Sequence, residues 1–370
     1  MVNEVKIPYE IDEKIYKRFE EKNHMIFRRI WDKSLSTYGK MFHSNILNHI
    51  SSGKTGYSRI DFALVAAGWT VYEKFPFAFA WKREKEIFDD YGLEWRKKPL
   101  IIKDRIEFTK QVKKAARFFG ATDVGITTIN DKWLYKTGFI RPADLSESEA
   151  KSGVREGNLN DTILNNRIEL PNGVNMAIVM IIEMDKNGIA TAPAQPAAAS
   201  SAIAYSKMAF VIACLGEFIR NLGYTAIQCG NDTALSIPLA IDAGLGALGR
   251  NGLLITPKYG PRVRICKVFT DLPLIPDEPN YDFINKINKT CKNCLKCAKA
   301  CEVNAISMQK EPTFEGLSIS NNPGVKKYYV DVEKCFEFWI ENSSDCGTCI
   351  LACPFSKIKG PISPSKFWND

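Results

Sequence analysis

Histidine is nearly missing from this chain. Only His24, His43 and His49 occur among 370 residues, and residues 50–370 contain none. The main body therefore cannot hold a Ser-His-Asp or Cys-His site. Nor can it hold a His-rich zinc or non-haem iron site, or a histidine serving as lower ligand to a corrinoid cobalt. Its proton donors must be Tyr, Asp, Glu, Lys or Cys. Long apolar runs are also scarce. Residues 187–206, NGIATAPAQPAAASSAIAYS, are uncharged, but Pro193, Gln195, Pro196 and the Ser200–Ser201 pair make a poor spanning helix, so a loop entering a helix is expected. Met208–Gly216 is too short to span, and no transmembrane helix is expected. The first 27 residues lack the apolar core of a signal peptide, and Arg28-Arg29 has no hydrophobic run behind it. Disorder is excluded by 45% apolar and 25% charged residues.

Cysteine is the opposite case. Eight of the eleven lie between Cys291 and Cys353. A chain of this size with its cysteines so bunched is no disulfide scaffold. The formal charge of +8 is spread over the chain, as at Lys82-Arg83, Arg96-Lys97-Lys98 and Lys113-Lys114. It reads as a solvated surface, with no nucleic acid expected as partner.

Three segments are expected. Residues 1–105 mix charged helical stretches with aromatics (Tyr57, Phe62, Trp69, Tyr72, Phe75, Phe77, Phe79, Trp81), either the packing of an N-terminal layer or a wall around an apolar cavity. Residues 106–274 read as an α/β (α+β) unit. Helices are expected over Ile106–Phe119, stopped by Gly120, and over Ser206–Asn221, closed by Gly223. Strands are expected over Asp123–Thr128, Asn175–Glu183, Thr225–Cys229, Leu253–Thr256 and Val263–Asp271. Gly244-x-Gly246-x-x-Gly249 is a weak dinucleotide fingerprint, since no strand runs directly into it and no acidic ribose ligand follows at the required spacing. After a linker at Ile275–Pro279, residues 275–370 form a small Cys-rich domain.

Its motifs are Cys291-x-x-Cys294-x-x-Cys297-x-x-x-Cys301 and Cys335-x10-Cys346-x-x-Cys349-x-x-x-Cys353-Pro354. In the bacterial ferredoxin pattern, three closely spaced thiolates hold one [4Fe–4S] cubane and the fourth reaches the other. The sets then cross. Cys291, Cys294, Cys297 and Cys353 would hold one cluster, and Cys301, Cys335, Cys346 and Cys349 the second. Two structural zincs, each held by four cysteines, are the competing reading, disfavoured by the three-residue periodicity and the closing Cys-Pro. Glu302 stands where a proline usually follows the fourth cysteine. Cys214, Cys229 and Cys266 read as buried core residues. Two clusters make an electron wire, and the remaining chain is long enough for a second redox centre at its end.

At this point the sequence resembles the corrinoid- and iron–sulfur-dependent reductive dehalogenases. The likeness runs from about residue 106 through the second cysteine motif. It is strongest at Gly223–Tyr224, at Cys229-Gly230-Asn231-Asp232-Thr233, at Ser236-Ile237-Pro238, in GLGALGRNGLLITPKYGPRVRICKVFTDLPL and in the cysteine motifs. The resemblance implies a nitroreductase-like domain holding a base-off cobamide, followed by a ferredoxin-like domain with two [4Fe–4S] clusters. It places the family's catalytic Tyr, Asn and Arg on Tyr205, Asn231 and Arg264. In that scheme Tyr205 gives a proton, Arg264 steadies the phenolate, Asn231 orients the hydroxyl or substrate, and the cofactor is held around Ser236, Thr256 and Gly260. It further implies a small halogenated substrate, a small membrane-anchor subunit, an upstream electron donor, and a place on the outer face of the cytoplasmic membrane, with a cytoplasmic protein as the alternative. An epoxyqueuosine reductase acting on tRNA shares the cluster domain and the Gly-rich stretch. It ordinarily uses an acidic donor and adds helical repeats, whereas 17 residues follow Cys353 here. A two-cluster electron carrier with an inert α/β domain is the non-enzymatic reading.

Overall fold

The structure, a computed structural model, describes residues 8–40, 42–74, 98–138 and 168–369. At its centre lies a four-stranded sheet of order β1-β2-β6-β3, antiparallel throughout, built from β1 (Asp123–Thr128), β2 (Met176–Glu183), β6 (Val263–Thr270) and β3 (Ala226–Cys229). A two-residue hairpin pairs β4 (Ala247–Leu248) with β5 (Leu254–Ile255). Side chains alternate across a strand, so β2 feeds two cores. Ile178, Met180 and Ile182 meet one core, and Ala177, Val179 and Ile181 the other. The near-continuous apolar run at 176–182 is thus a central strand covered on both faces.

Helices cover both sides of the sheet, which makes the α+β form of the expected class the observed one. On one face lies the Gln195–Asn221 helix. Its Ala204, Met208, Val211, Ile212, Leu215 and Ile219, at helical spacing, join Phe108, Val112 and Ala116 of the Arg105–Phe118 helix. The latter is N-capped by Asp104, whose carboxylate accepts from the Ile106 and Glu107 amides at 2.9 and 3.0 Å. On the other face, Leu239, Ala240 and Ile241 of the Ser236–Asp242 helix pack under β1, β2 and β6.

One expectation is corrected here. The long helix starts at Gln195 rather than Ser206, because Pro196 falls in its first turn, where no amide donor is needed, and the Ala/Ser run behind it is buried. This helix is long and apolar enough to cross a membrane by length and composition, yet 56% of its apolar window is buried inside the chain. The 233–255 stretch also holds the Ser236–Asp242 helix, with Pro238 tolerated in its first turn.

The N-terminal residues share their apolar clusters with later segments. Met25 packs with Phe336 and Ile340, Ile46 and Tyr57 with Ala194, and Val65 with Ala198 and Ala199. The Arg59–Lys74 helix lies so close to the Gln195–Asn221 helix that a Cβ on Gly68 would stand 2.8 Å from Ala202 Cβ. Phe75, Phe77, Phe79 and Trp81 lie outside the described residues. The 275–279 linker is tied to the sheet, with Asp277 exchanging hydrogen bonds with the Ile126 backbone at 2.8 and 2.7 Å and pairing with Lys113.

Candidate active site and cluster ligands

Three separate elements bring Tyr205, Asn231 and Arg264 together. Tyr205 projects from the Gln195–Asn221 helix, Asn231 from the loop after β3, and Arg264 from the start of β6. Asn231 Nδ2 donates to the Tyr205 hydroxyl at 2.8 Å, which leaves the phenol proton free to point elsewhere. The Arg264 guanidinium lies over the Tyr205 ring, 5.2 Å from its centroid. Arg264 Nη2 donates to Ser201 Oγ at 2.9 Å and stands 3.8 Å from Asp345 Oδ2. Its Nε is buried with no partner among the described residues. Burial raises the Asp345 carboxyl above its ordinary range, opposed by Arg264 and Ser201.

Two residues of the expected aromatic run support the site, and Lys267 and Tyr135, which the sequence reading did not include, support it from below. Trp69 stacks on Tyr205 at 5.0 Å and 24°, and Tyr72 meets the same ring edge-on at 5.2 Å. The aromatic run that read either as packing or as a wall thus begins against the candidate proton donor. Gly68 in the middle of a helix was the signal for this close approach, reinforced by Ser206 Oγ, which donates to the Gly68 carbonyl at 2.5 Å. Lys267, fully buried on β6, donates to the carbonyls of Gly230, Asp232 and Ala234 and to Ser236 Oγ, at 2.6 to 3.0 Å. Burial lowers its pKa, with Asp232 and Cys229 opposing. The Tyr135 hydroxyl donates to the Asn231 carbonyl at 2.9 Å. These two residues shape the loop that aims Asn231, and a lysine inside the apolar VRICKVF strand was the available clue.

Among the described residues, Ser236 shares no hydrogen bond with Thr256 or Gly260. The Ser236 hydroxyl receives Lys267. Thr256 and Gly260 close a turn on each other, with amide–carbonyl bonds of 2.9 and 3.0 Å and the Thr256 hydroxyl also donating to the Gly260 carbonyl. That turn sits against the cluster domain, since a Cβ on Gly260, at φ +58°, would stand 2.4 Å from the Phe355 carbonyl group.

Two arginines of the glycine-rich region tie the domains together. Arg250, 1% exposed, donates to the carbonyls of Cys291, Ser307 and Gln309 and stacks on Tyr328 at 3.7 Å. Arg262 donates to the carbonyls of Ser356 and Met184 and to Glu183 Oε1.

The eight motif cysteines lie in two neighbouring groups. Burial pushes Cys297 up to about 12, with Cys291, Cys353 and Cys294 adding to the shift. Cys353 rises to about 11 by burial, with Cys291 and Cys294 contributing. Burial likewise raises Cys335 to about 12, helped by Cys346 and Cys301, and Cys349 well above its usual value, helped first by Cys335 and Cys346. Among the described residues no three His, Cys, Asp or Glu side chains converge on a single-ion position. A cubane spreads its four thiolates over four irons, so its ligands stand wider apart than those of one ion. Of the other cysteines, Cys229 and Cys266 are buried, whereas Cys214 is only half-buried.

Residues 107–274 match the reductive dehalogenase subunit family, and residues 290–357 match the 4Fe-4S dicluster domain. The tetrachloroethene reductive dehalogenase of Sulfurospirillum multivorans is 36% identical over 318 residues, covering 82% of this chain and 62% of that protein. Its counterpart in Dehalobacter restrictus is 35% identical over 305 residues, covering 77% and 54%.

The chain belongs to the reductive dehalogenase family.

Solved reductive dehalogenases share its fold. One, described as suggesting a mechanism for B12-dependent dehalogenation, superposes with a TM-score of 0.66 at 20% identity, over 96% of this chain and 44% of the other. A catabolic reductive dehalogenase, NpRdhA, in complex with 3-bromo-4-hydroxybenzoic acid gives 0.65 at 20% identity, over 95% and 43%. The chain thus spans roughly half to three-fifths of the curated relatives' length. Arg250 and Arg262 thus join the part matched by the dicluster domain to the part matched by the reductive dehalogenase subunit family.

Proposed function

We propose that this protein removes halide from a small organohalide by reduction, R–X + 2 e⁻ + H⁺ giving R–H + X⁻, with Tyr205 as proton donor. The observation that carries the proposal is the Tyr205–Asn231–Arg264 arrangement, assembled from three elements beside a dicluster domain. Asn231 donates to the phenol oxygen, so the Tyr205 proton is available to the product carbon. The Arg264 guanidinium, lying over the ring, stabilises the phenolate left behind. Trp69 and Tyr72 hold the ring and present an apolar surface suited to a small halogenated compound.

The donor set fits a base-off cobamide. The site offers a phenol, an amide and a guanidinium but no imidazole, and Arg264 Nε is left buried with a proton to give. When bound, the cobamide would supply the strongly reducing cobalt that breaks the carbon–halogen bond. We assign its contacts to Arg264 and Ser236, with Thr256 and Gly260 acting through the turn they form. Cys291, Cys294, Cys297 and Cys353 are the ligands of one cluster, and Cys301, Cys335, Cys346 and Cys349 of the second, in keeping with the neighbours each thiol feels. The family likeness supports a membrane-anchor partner and residence at the outer face of the cytoplasmic membrane.

Anaerobically reconstituted protein should carry about one cobalt and about eight irons. With reduced viologen and tetrachloroethene or other small organohalides, Tyr205→Phe should lower turnover by roughly 10²-fold or more while keeping both metals. Undiminished turnover in that variant rejects Tyr205 as the donor. Protein that leaves organohalides untouched but reduces epoxyqueuosine in tRNA rejects the reaction itself. Protein with iron but no bound cobalt points to a plain electron carrier.

A further inference from the structure

The two cysteine sets face different parts of the molecule. Cys349 packs on the core shared by Tyr205, and Asp345, next to Cys346, reaches Arg264. Cys291 and Cys353 pack on the opposite core, with Phe283 and Phe355. The second set therefore adjoins the candidate active site, and the first lies on the side away from it.

Around the first set the surface is basic. On the Tyr281–Asn293 helix, Lys286, Lys289 and Lys292 recur every three residues and are exposed, while Ile284 and Ile287 are buried. Lys296 and Lys299 are exposed between the motif cysteines, and Lys310 lies close by. The acidic groups here are Glu311, which neutralises Lys292 at 2.7 Å, Glu302 after Cys301, and Glu278 and Asp282 at the start of the helix, fewer than the lysines. Met308 is exposed beside this surface, in the 307–309 segment that Arg250 ties to the Cys291 carbonyl. A small apolar centre with a charged rim is the make-up of a transient docking face.

We infer that this lysine face is where a small acidic one-electron carrier protein docks and reduces the Cys291/Cys294/Cys297/Cys353 cluster. The inference rests on the cluster assignment proposed above. Each docking oxidises the carrier by one electron and reduces that cluster by one. Two dockings, with the proton from Tyr205, balance the reduction of R–X to R–H and halide. Opposite charges steer the encounter, so association should be strongly salt-dependent.

The test uses the full reconstituted chain and a purified acidic bacterial ferredoxin. Binding is measured by calorimetry, and cluster reduction by stopped-flow absorbance. In the native protein, raising salt from low to moderate ionic strength should weaken binding tenfold or more. The triple change Lys286→Glu, Lys289→Glu, Lys296→Glu should weaken it at least tenfold at low salt, while reduction by methyl viologen radical, which needs no docking face, stays the same. Salt-independent binding, or unchanged affinity in the triple variant, overturns the inference. So does a triple variant that keeps its ferredoxin affinity but loses affinity for tRNA, which would make the face a nucleic-acid surface. Reconstituted protein without iron–sulfur absorbance instead removes the cluster assignment, and the inference with it.

Discussion

Tyr205 is useful only because of its neighbours, and the most telling of these is Lys267. A fully buried ammonium is costly unless each of its protons is taken up. Three carbonyls and one hydroxyl of the 230–236 loop take them up here. Lys267→Met removes the charge and leaves those carbonyls without their donor. It should lower stability by about 3 kcal/mol, read by urea unfolding, and loosen the hydrogen bond from Asn231 to Tyr205. Dehalogenation should then fall more than cluster content does. His24 has a different role. Its Nδ1 accepts the Ile26 amide at the start of the Met25–Trp31 helix, and burial pushes its pKa down to about 4. The folded protein holds it neutral, whereas the unfolded chain protonates it near the usual value of about 6.5. Its contribution to stability is therefore complete above about pH 6.5 and is lost as pH falls toward 4. His24→Ser keeps a capping acceptor that does not titrate. Between pH 6.5 and 4 its urea midpoint should fall less than that of the native protein.

The contact between the Arg59–Lys74 and Gln195–Asn221 helices sets the aromatic surroundings of the site. Gly68 faces Ala202 so closely that any side chain must push the helices apart. Gly68→Val should cost about 1–3 kcal/mol through overpacking. It should also separate Trp69 and Tyr72 from Tyr205, lowering kcat/KM for organohalide while iron and cobalt stay bound. Steady-state kinetics beside metal analysis reads both effects. A loss of stability with unchanged kcat/KM would show that the aromatic contacts do not shape the reaction.

The whole molecule depends on how the dicluster domain is fastened to the α+β domain. Arg250 and Arg262 are buried and bind backbone carbonyls across the boundary. Arg250→Met strands several carbonyls at once. It should destabilise the protein by roughly 3–5 kcal/mol and separate one unfolding transition into two, with cluster absorbance lost before tryptophan fluorescence changes. Coincident transitions in the variant would deny Arg250 this role.

The cysteine motifs, the β1, β2 and β6 strands and the Tyr205, Asn231 and Arg264 candidates were all legible in the amino-acid sequence. Their signals are local: ligand spacing, apolar runs, and short motifs that resemble a family. The long helix was read eleven residues short, because Pro193 and Pro196 look like breakers until the helix start is seen to fall between them. Arg250 and Asp345 carried no comparable signal, and the aromatic run at Trp69 and the lysine at 267 gave no sign of their partners. Their roles depend on partners far away in the chain, such as Tyr205 for Trp69 and Cys291 for Arg250. The sequence by itself determined that any proton donor in the main body must do without histidine, and that eight cysteines crowd into the final third. Only the tertiary structure decided which phenol an amide and a guanidinium converge upon, and which cysteine set lies beside it. Such convergence arises from packing two cores against opposite faces of one sheet, and no local pattern encodes that.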